Sequence, residues 1–149
     1  MPSPPHFNLM QCQLCQSQTY IIHVNANHEH LCETCMMGNI TQNFSRHEFA
    51  CKCGCGLDDI DNQIVHRLQV VRDILKTPIT INSGCRCKSH NYKVGGKPAS
   101  LHLEGRAIDW SVENEEKFML AAKLLSGWSG GFHVYSTFIH IDIGRKRRW

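Results

Sequence analysis

The sequence contains no apolar run that approaches the roughly 18 residues needed by a membrane-spanning helix. Its beginning, MPSPPHFNLMQCQLC, has neither a basic start nor an apolar stretch of about 7 to 15 residues, so it does not resemble a secretory signal. We therefore expect a chain that is made in the cytoplasm and does not insert into a membrane. Charged residues (19%) and apolar residues (42%) occur at frequencies typical of a soluble globular protein.

Cysteine and histidine are abundant by contrast, with 9 cysteines and 10 histidines among 149 residues. Because no secretory signal is visible, metal binding by reduced thiolates explains the cysteines better than disulfides do, and an odd count cannot pair completely. The length allows one domain with a substantial core plus a small module. The net charge of +3 is mild, and much of it lies in the tail GRKRRW, which we expect to be a solvated end.

Four cysteines near the start form two CxxC pairs separated by 16 residues, namely Cys12, Cys15, Cys32 and Cys35. The segment between the pairs alternates apolar and polar residues over 20–24 and then turns at NANHE, as a short hairpin would. This spacing predicts a structural zinc site in a zinc-ribbon-like module over residues 1–43, which includes a linker. The segment from Cys12 to Cys35 contains no Lys or Arg, so nucleic acid is not expected as a partner.

The composition changes near residue 44, where we place the start of a main domain over residues 44–149. Apolar residues at helical spacing follow Asp58 and Asp59, which we expect to cap an amphipathic helix over 59–76, and ENEEKFMLAAKLLSG predicts a second helix. PITINSG, RAIDWSV and GGFHVYSTFIHIDIG predict strands, the last a pair joined near YST. The segment SGCRCKSHNYKVGGKPASLHLEG shows no periodicity and is interpreted as a long loop. The order predicts an α+β fold with a small antiparallel sheet and flanking helices.

Three polar residues of this domain stand where a metal site would explain them. Asp109 lies inside an apolar strand, and a carboxylate there is costly to bury unless it is paired or coordinates a metal. His102 ends the long loop, and Gly105 lets the backbone turn so that the His102 and Asp109 side chains converge. His140 lies on an alternating strand. Two histidines and one carboxylate would leave the fourth position of a tetrahedral zinc ion open for water, as in catalytic zinc sites.

These segments carry a family resemblance over roughly residues 44–149. SGCRCKSHNYKVGGKPASLHLEGRAIDW followed by GGFHVYSTFIHIDIG resembles the zinc D-Ala-D-Ala carboxypeptidases and murein endopeptidases of peptidase family M15, especially their compact phage and bacterial branch. The SxHxxGxAxD pattern is specific. The resemblance implies a hedgehog/D,D-peptidase-like fold and a catalytic zinc ion held by His102, Asp109 and His140. It also implies that Arg86 binds the substrate's carboxylate or its polarised carbonyl.

This chain differs from the better-known members of that family at the positions where they place the general base. They often place a Glu or Asp three residues before the last ligand, or a His two residues before it, where this chain has Thr137 and Phe138. Asp142, on the same strand face as His140, is the first candidate, although it could equally orient a ligand histidine. His133, on the neighbouring strand, is the second candidate.

Five further cysteines form two close groups, Cys51, Cys53 and Cys55 in one and Cys85 and Cys87 in the other. In an extended segment the CxC spacing puts two sulfurs on one side, so the groups could meet around a third zinc ion. They could also form disulfides or remain free thiols, and the sequence leaves these alternatives open.

The sequence therefore predicts a zinc metallopeptidase that uses zinc-activated water on peptidoglycan stem peptides or cross-links, as a D,D-carboxypeptidase or an endolysin-like endopeptidase. A phage or prophage lysis enzyme released through a pore would reconcile a wall substrate with the absence of a signal. We expect a monomer. The alternative is a catalytically inactive zinc-binding module that recognises cell wall, protein or nucleic acid.

Overall fold

The computed structural model describes residues 9–11, 18–24, 30–32 and 40–149. The chain divides into two compact units, Met1–Ser45 and Arg46–Trp149. Among the described residues, no helix is both long enough and apolar enough to cross a membrane.

The first unit contains a three-stranded antiparallel sheet in the order β1-β2-β3, formed by Leu9–Gln11, Gln18–Val24 and His30–Cys32. The β2–β3 pair is the hairpin that the alternating segment predicts, with Val24 opposite His30 and Ile21 opposite Cys32. Cys12, Cys15 and Cys35 lie outside the described residues. The four-cysteine zinc site therefore stays a prediction.

The second unit has three α-helices, five strands and three short 3-10 helices. In chain order these are a 3-10 helix Arg46–Phe49, α1 Asn62–Leu75, β4 Thr80–Ser83, α2 Lys88–Lys93, a 3-10 helix Leu101–Glu104, β5 Ala107–Ser111, α3 Glu115–Leu124, a 3-10 helix Leu125–Gly127, β6 Gly131–Val134, β7 Ile139–Asp142 and β8 Arg147–Arg148.

The five strands form one sheet in the order β4-β5-β7-β6-β8. The α+β prediction is confirmed. The expected antiparallel sheet is formed by β4, β5, β7 and β6, and the structure adds a fifth strand, β8, which pairs parallel to β6 through Gly131–Arg147 and Phe132–Arg148 and makes the sheet mixed. Two consecutive basic residues gave no strand signal. The tail GRKRRW is accordingly not a simple solvated end.

Alternation along the two central strands separates the core from the site. In β5 and β7, Ile108 pairs with Ile141 and Trp110 pairs with Ile139, and all four side chains are fully buried. Because successive side chains in a strand point to opposite faces, the residues between them face the other way. Helix α1 contributes further apolar core residues, including Ile64, Val65, Leu68 and Leu75.

The helices begin later than their apolar periodicity predicts. Helix α1 starts at Asn62 because Asp61, in an extended conformation, caps it by accepting a hydrogen bond from the Gln63 N–H at 2.8 Å. The expectation that Asp58 and Asp59 cap this helix is wrong. Helix α3 is capped by Asn114, whose side chain accepts from the Lys117 N–H.

The segment interpreted as one long loop contains α2 and the 3-10 helix Leu101–Glu104. Elements of six and four residues are too short to show a hydrophobic period, which explains why the sequence pattern missed them. The 3-10 helix ends at Gly105, which has a φ of +64°. A Cβ atom there would lie 2.0 Å from the Asp59 carbonyl oxygen. The tight turn between the 3-10 helix and β5 therefore depends on glycine.

Candidate metal and catalytic site

One row of residues crosses the sheet on the face opposite the apolar core. Ser83 of β4 lies opposite Asp109 of β5, Asp109 lies opposite His140 of β7, and His140 lies opposite His133 of β6. Directly opposed residues on neighbouring strands project to the same face. The pairing register therefore brings two of the three predicted zinc ligands, and one candidate base, side by side.

His102 reaches this row from the 3-10 helix. Ser100 caps the helix by accepting a hydrogen bond from the His102 N–H, and the His102 carbonyl accepts one from the Arg86 N–H at 2.9 Å. The His102 ring lies 2.7 Å from the Gly84 carbonyl oxygen through Nδ1. Because a carbonyl can only accept, Nδ1 must carry the proton. In the neutral ring the other nitrogen, Nε2, is then unprotonated and carries a free lone pair.

That Nε2 atom is buried and forms no hydrogen bond with any of the described residues. It lies 3.2 Å from Asp109 Oδ2, which is also an acceptor. Two acceptors facing each other at this distance in a buried place are unfavourable unless a cation or a proton lies between them. The contact therefore points to a cation site.

The atoms that could bind a metal are spaced as zinc requires. One potential ligand atom from each of His102, Asp109 and His140 lies within 4.8 Å of the others. Ligands about 2.1 Å from a tetrahedral zinc ion lie about 3.4 Å from one another, close to the 3.2 Å seen between His102 and Asp109. Hydrogen bonding of the far nitrogen of His102 to a carbonyl is typical of metal-binding histidines.

His140 lies between two carboxylates. Its Nδ1 is 2.8 Å from Asp109 Oδ1, and its Nε2 is 2.9 Å from Asp142 Oδ2. Burial alone would lower the pKa of His140, but the hydrogen bonds to Asp109 and Asp142 outweigh it and raise the pKa. Burial likewise opposes ionisation of Asp109, whereas the close approach of the His102 ring and the hydrogen bond from His140 lower the Asp109 pKa. The cluster thus favours an ionised Asp109.

Asp142 is fully buried, and both of its carboxylate oxygens are saturated with donors. Oδ1 accepts from the backbone N–H groups of Gly131 and Gly144, each at 3.0 Å, and Oδ2 accepts from His140 and from the Arg147 guanidinium. Burial would raise the Asp142 pKa, but the bond from His140 and the two backbone bonds lower it to about 2. Of the two roles that the sequence leaves open for Asp142, this environment favours orientation of His140 over proton transfer.

The Arg86 guanidinium is held beside the cluster by three side chains. Nη2 donates to Asp109 Oδ2 at 2.8 Å, Nε donates to Ser83 Oγ at 2.9 Å, and Nη1 lies 3.5 Å from Asn91 Oδ1. The Arg86 side chain is 14% exposed, so a small part of it is accessible from outside. The structure brings Arg86 together with the three predicted ligands.

His133 lies at the rim of the cluster in an aromatic group. Its ring stacks on Trp149 at a centroid distance of 5.4 Å and contacts the Tyr135 ring edge-on at 4.4 Å. Trp149 also lies 5.3 Å from the His140 ring. His133 is half-buried rather than sequestered, so solvent reaches the part of the site where it lies.

Several residues of this environment were not identified from the sequence. Ser83 and Asn91 orient Arg86, Arg147 pairs with Asp142, and Trp149 covers the rim. None of these residue types is informative by itself. The strand pairing brings Ser83 to the site, the parallel β8 brings Arg147 and Trp149, and helix α2 brings Asn91.

Of the five cysteines in the second unit, four lie together in the structure and one does not. Cys51, Cys53, Cys55 and Cys87 place their sulfur atoms within 4.8 Å of one another. Cys85 is buried elsewhere, where burial together with Asp58 and Asp59 raises its pKa to about 11 and keeps the thiol neutral. The expectation that Cys85 and Cys87 share a side is wrong, because β4 ends at Ser83 and the chain does not continue as a strand.

A family model described as Peptidase M15 matches residues 42–142, which is more than half of the chain. No curated protein matches the sequence. The matched residues include the three candidate metal ligands His102, Asp109 and His140. They also include Arg86, His133 and Asp142. The chain belongs to the peptidase M15 family.

Proposed function

We propose that this protein is a zinc-dependent peptidase that hydrolyses an amide bond in the stem peptides or cross-links of peptidoglycan. Family membership supports a peptidase. The observation that carries the metal site is His102 Nε2, a buried acceptor without a hydrogen bond to the described residues that faces the Asp109 carboxylate. His102 would bind zinc through Nε2, His140 through Nδ1, and Asp109 through its carboxylate.

Zinc in such a site supplies an activated water molecule and an electrophile for the peptide carbonyl. Gly84 keeps the proton of His102 on Nδ1, so that Nε2 can act as a ligand. Asp142 accepts a hydrogen bond from the Nε2–H of His140 and so keeps that proton on Nε2, which leaves Nδ1 free to act as a ligand. These two contacts fix the tautomers that a shared metal ion requires.

His133 is the residue proposed to take the proton from the attacking water. It is the direct neighbour of His140 across the sheet, and it is half-buried at the accessible rim. A histidine is the side chain best suited to accept and return a proton near neutral pH. Asp142 has no free lone pair for this role.

Arg86 is the residue proposed to orient the substrate. A planar guanidinium beside the metal ligands matches a peptide carboxylate or a polarised carbonyl, and Ser83 and Asn91 hold its other nitrogens in place.

Arg86→Lys should lower kcat/KM by about 10- to 100-fold, because a hydrogen bond to a charged group contributes roughly 1.5–3 kcal/mol and lysine cannot reproduce the fork. Zinc content should stay unchanged. Steady-state kinetics on a purified muropeptide would measure this, with Arg67→Lys, on α1 and bonded to Ser129, as the matched control. Equal kcat/KM values for the two variants would contradict the assignment.

Chelator treatment should lower the release of soluble peptide from purified peptidoglycan at least about 100-fold, and added zinc should restore it. His102→Ala should be inactive in both conditions, and Glu113→Gln, an exposed carboxylate, should behave like the unaltered protein. Mass spectrometry of the products would distinguish released terminal D-alanine from cleaved cross-links. If no wall type is cleaved in a chelator-sensitive way, the inactive binding module is the better description.

A further inference from the structure

A second cluster of potential metal ligands lies apart from the histidine site. It consists of Cys51, Cys53, Cys55 and Cys87, and no disulfide joins any of them. The peptidase reaction proposed above uses none of these thiols, so the cluster requires its own explanation.

The local backbone is folded so that three thiols of a short loop face one place. The Cys51 N–H donates to the Leu57 carbonyl at 2.7 Å, which closes the loop, and Gly54 N–H donates to the Cys51 carbonyl. Gly54 and Gly56 have φ values of +80° and +85°, a conformation that other residues adopt rarely. In the sequence CKCGCG, a glycine therefore follows each of the second and third cysteines and lets the chain turn around the thiols.

The sulfur positions match a four-thiolate zinc site. Zn–S bonds of about 2.3 Å in a tetrahedron separate the sulfur atoms by about 3.8 Å. Cys51 and Cys53 Sγ atoms are 3.4 Å apart, and Cys53 and Cys87 Sγ atoms are 3.7 Å apart. These distances exceed the S–S bond of about 2.05 Å by a wide margin.

Backbone donors also point at two of the sulfurs. The Cys87 N–H donates to Cys51 Sγ, and the His90 N–H donates to Cys87 Sγ, each at 3.4 Å. Hydrogen bonds to sulfur favour the thiolate form that metals bind. The backbone therefore favours the thiolate form of Cys51 and of Cys87, the first and last cysteines of the cluster.

We propose that Cys51, Cys53, Cys55 and Cys87 bind one zinc ion as a closed four-thiolate structural site. All four positions are occupied by protein, so this site has no place for water or substrate. Thiolate ligands in a tetrahedral arrangement select zinc over the hard divalent cations.

The four-thiolate site lies next to segments that position the histidine site, which gives it a structural role. Cys87 directly follows Arg86, whose guanidinium contacts Asp109. The carbonyl of Gly84, three residues before Cys87, accepts a hydrogen bond from His102 Nδ1. Zinc at the cysteines would tie the segment 84–87 to the loop 51–57. It would thereby fix the backbone that positions both the substrate-orienting arginine and a ligand histidine.

The test compares zinc stoichiometry in the full-length chain. The double variant Cys53→Ser/Cys55→Ser should contain one zinc ion per chain less than the unaltered protein, because two remaining thiolates cannot hold the ion tightly. Both replaced residues are exposed, so the fold does not depend on burying them. Cys85→Ala, which removes a neighbouring cysteine outside the cluster, should keep the full zinc content. Equal zinc in the double variant and the unaltered protein would overturn the proposal.

Thiol labelling with iodoacetamide gives an independent readout. In the zinc-loaded protein, peptide mapping should show Cys53 and Cys55 protected despite their exposure, and a chelator should make both reactive. Immediate labelling without chelator would mean free thiols. Protection that survives the chelator but ends with a reductant would mean a disulfide. Either result would reject the zinc site, whatever the outcome for His102 and the peptidase activity.

Discussion

Asp109→Asn should weaken zinc binding at the histidine site by about 10²- to 10⁴-fold, and hydrolysis should be lost at ordinary zinc concentrations. Asp109 is the centre of the cluster, since Oδ1 bonds His140 and Oδ2 bonds Arg86 and faces His102. Removing one member of a buried charged group costs roughly 3–5 kcal/mol, which corresponds to this range of affinity at about 1.4 kcal/mol per tenfold change.

Asparagine is the informative replacement because it keeps the shape of the side chain and one oxygen for Arg86, so the fold should survive. Alanine would leave the Arg86 guanidinium without its carboxylate and would confuse instability with metal loss. Zinc affinity would be measured by competition with a chromophoric chelator, with Glu113→Gln as the control. An Asp109→Asn protein with unaltered affinity and turnover would contradict both the ligand assignment and the proposed mechanism.

The convergence of Asp109 and His140 could be anticipated because strand alternation is a local property that the sequence carries. Trp110 and Ile108 flank Asp109, and Ile139 and Ile141 flank His140, so one face of each strand had to be apolar and the other polar. What the pattern could not give is the pairing of β5 with β7, which places the two polar faces edge to edge. Strand order depends on contacts distant in sequence.

The third proposed ligand, His102, could be predicted from the sequence for a different reason. His102 is positioned by the tight turn at Gly105, and a glycine between two polar residues is a visible signal. The carbonyl of Gly84 that sets its tautomer left no signal, because backbone acceptors are present at every residue. The same limit applies to Arg147, whose ion pair with Asp142 exists only because β8 returns beside β6.

The cysteines show where local spacing misleads. Equal CxC spacing at Cys51–Cys53 and Cys85–Cys87 suggested equivalent behaviour, yet only the first pair lies wholly within the thiol cluster. Cys85 N–H donates to the Phe49 carbonyl at 2.8 Å, which holds this stretch of chain against the core and buries the Cys85 side chain. Burial was decided by tertiary packing rather than by spacing.

Asp142→Asn and His133→Gln should fail in different ways, and the difference separates a positioning residue from the proton acceptor. Asparagine at 142 would present an amide N–H₂ group to donors, the Arg147 guanidinium and the His140 N–H, in a fully buried place. We expect unfolding free energy to fall by roughly 3–5 kcal/mol and zinc affinity to fall by about 10- to 100-fold. At saturating zinc, kcat should recover to within about tenfold of the unaltered protein, because the water and its proton acceptor remain.

His133→Gln should instead leave zinc affinity unchanged and lower kcat by about 10²- to 10⁴-fold at saturating zinc, the range contributed by a general base. Its ring contacts with Trp149 and Tyr135 lie at the accessible rim, so their loss should change stability little. If Asp142→Asn proves too unstable, Arg147→Gln tests the positioning role of Asp142 with a smaller perturbation. This substitution removes one of the four donors to the Asp142 carboxylate. A kcat that stays low for Asp142→Asn at saturating zinc, together with a normal kcat for His133→Gln, would reverse the assignment and make Asp142 the base.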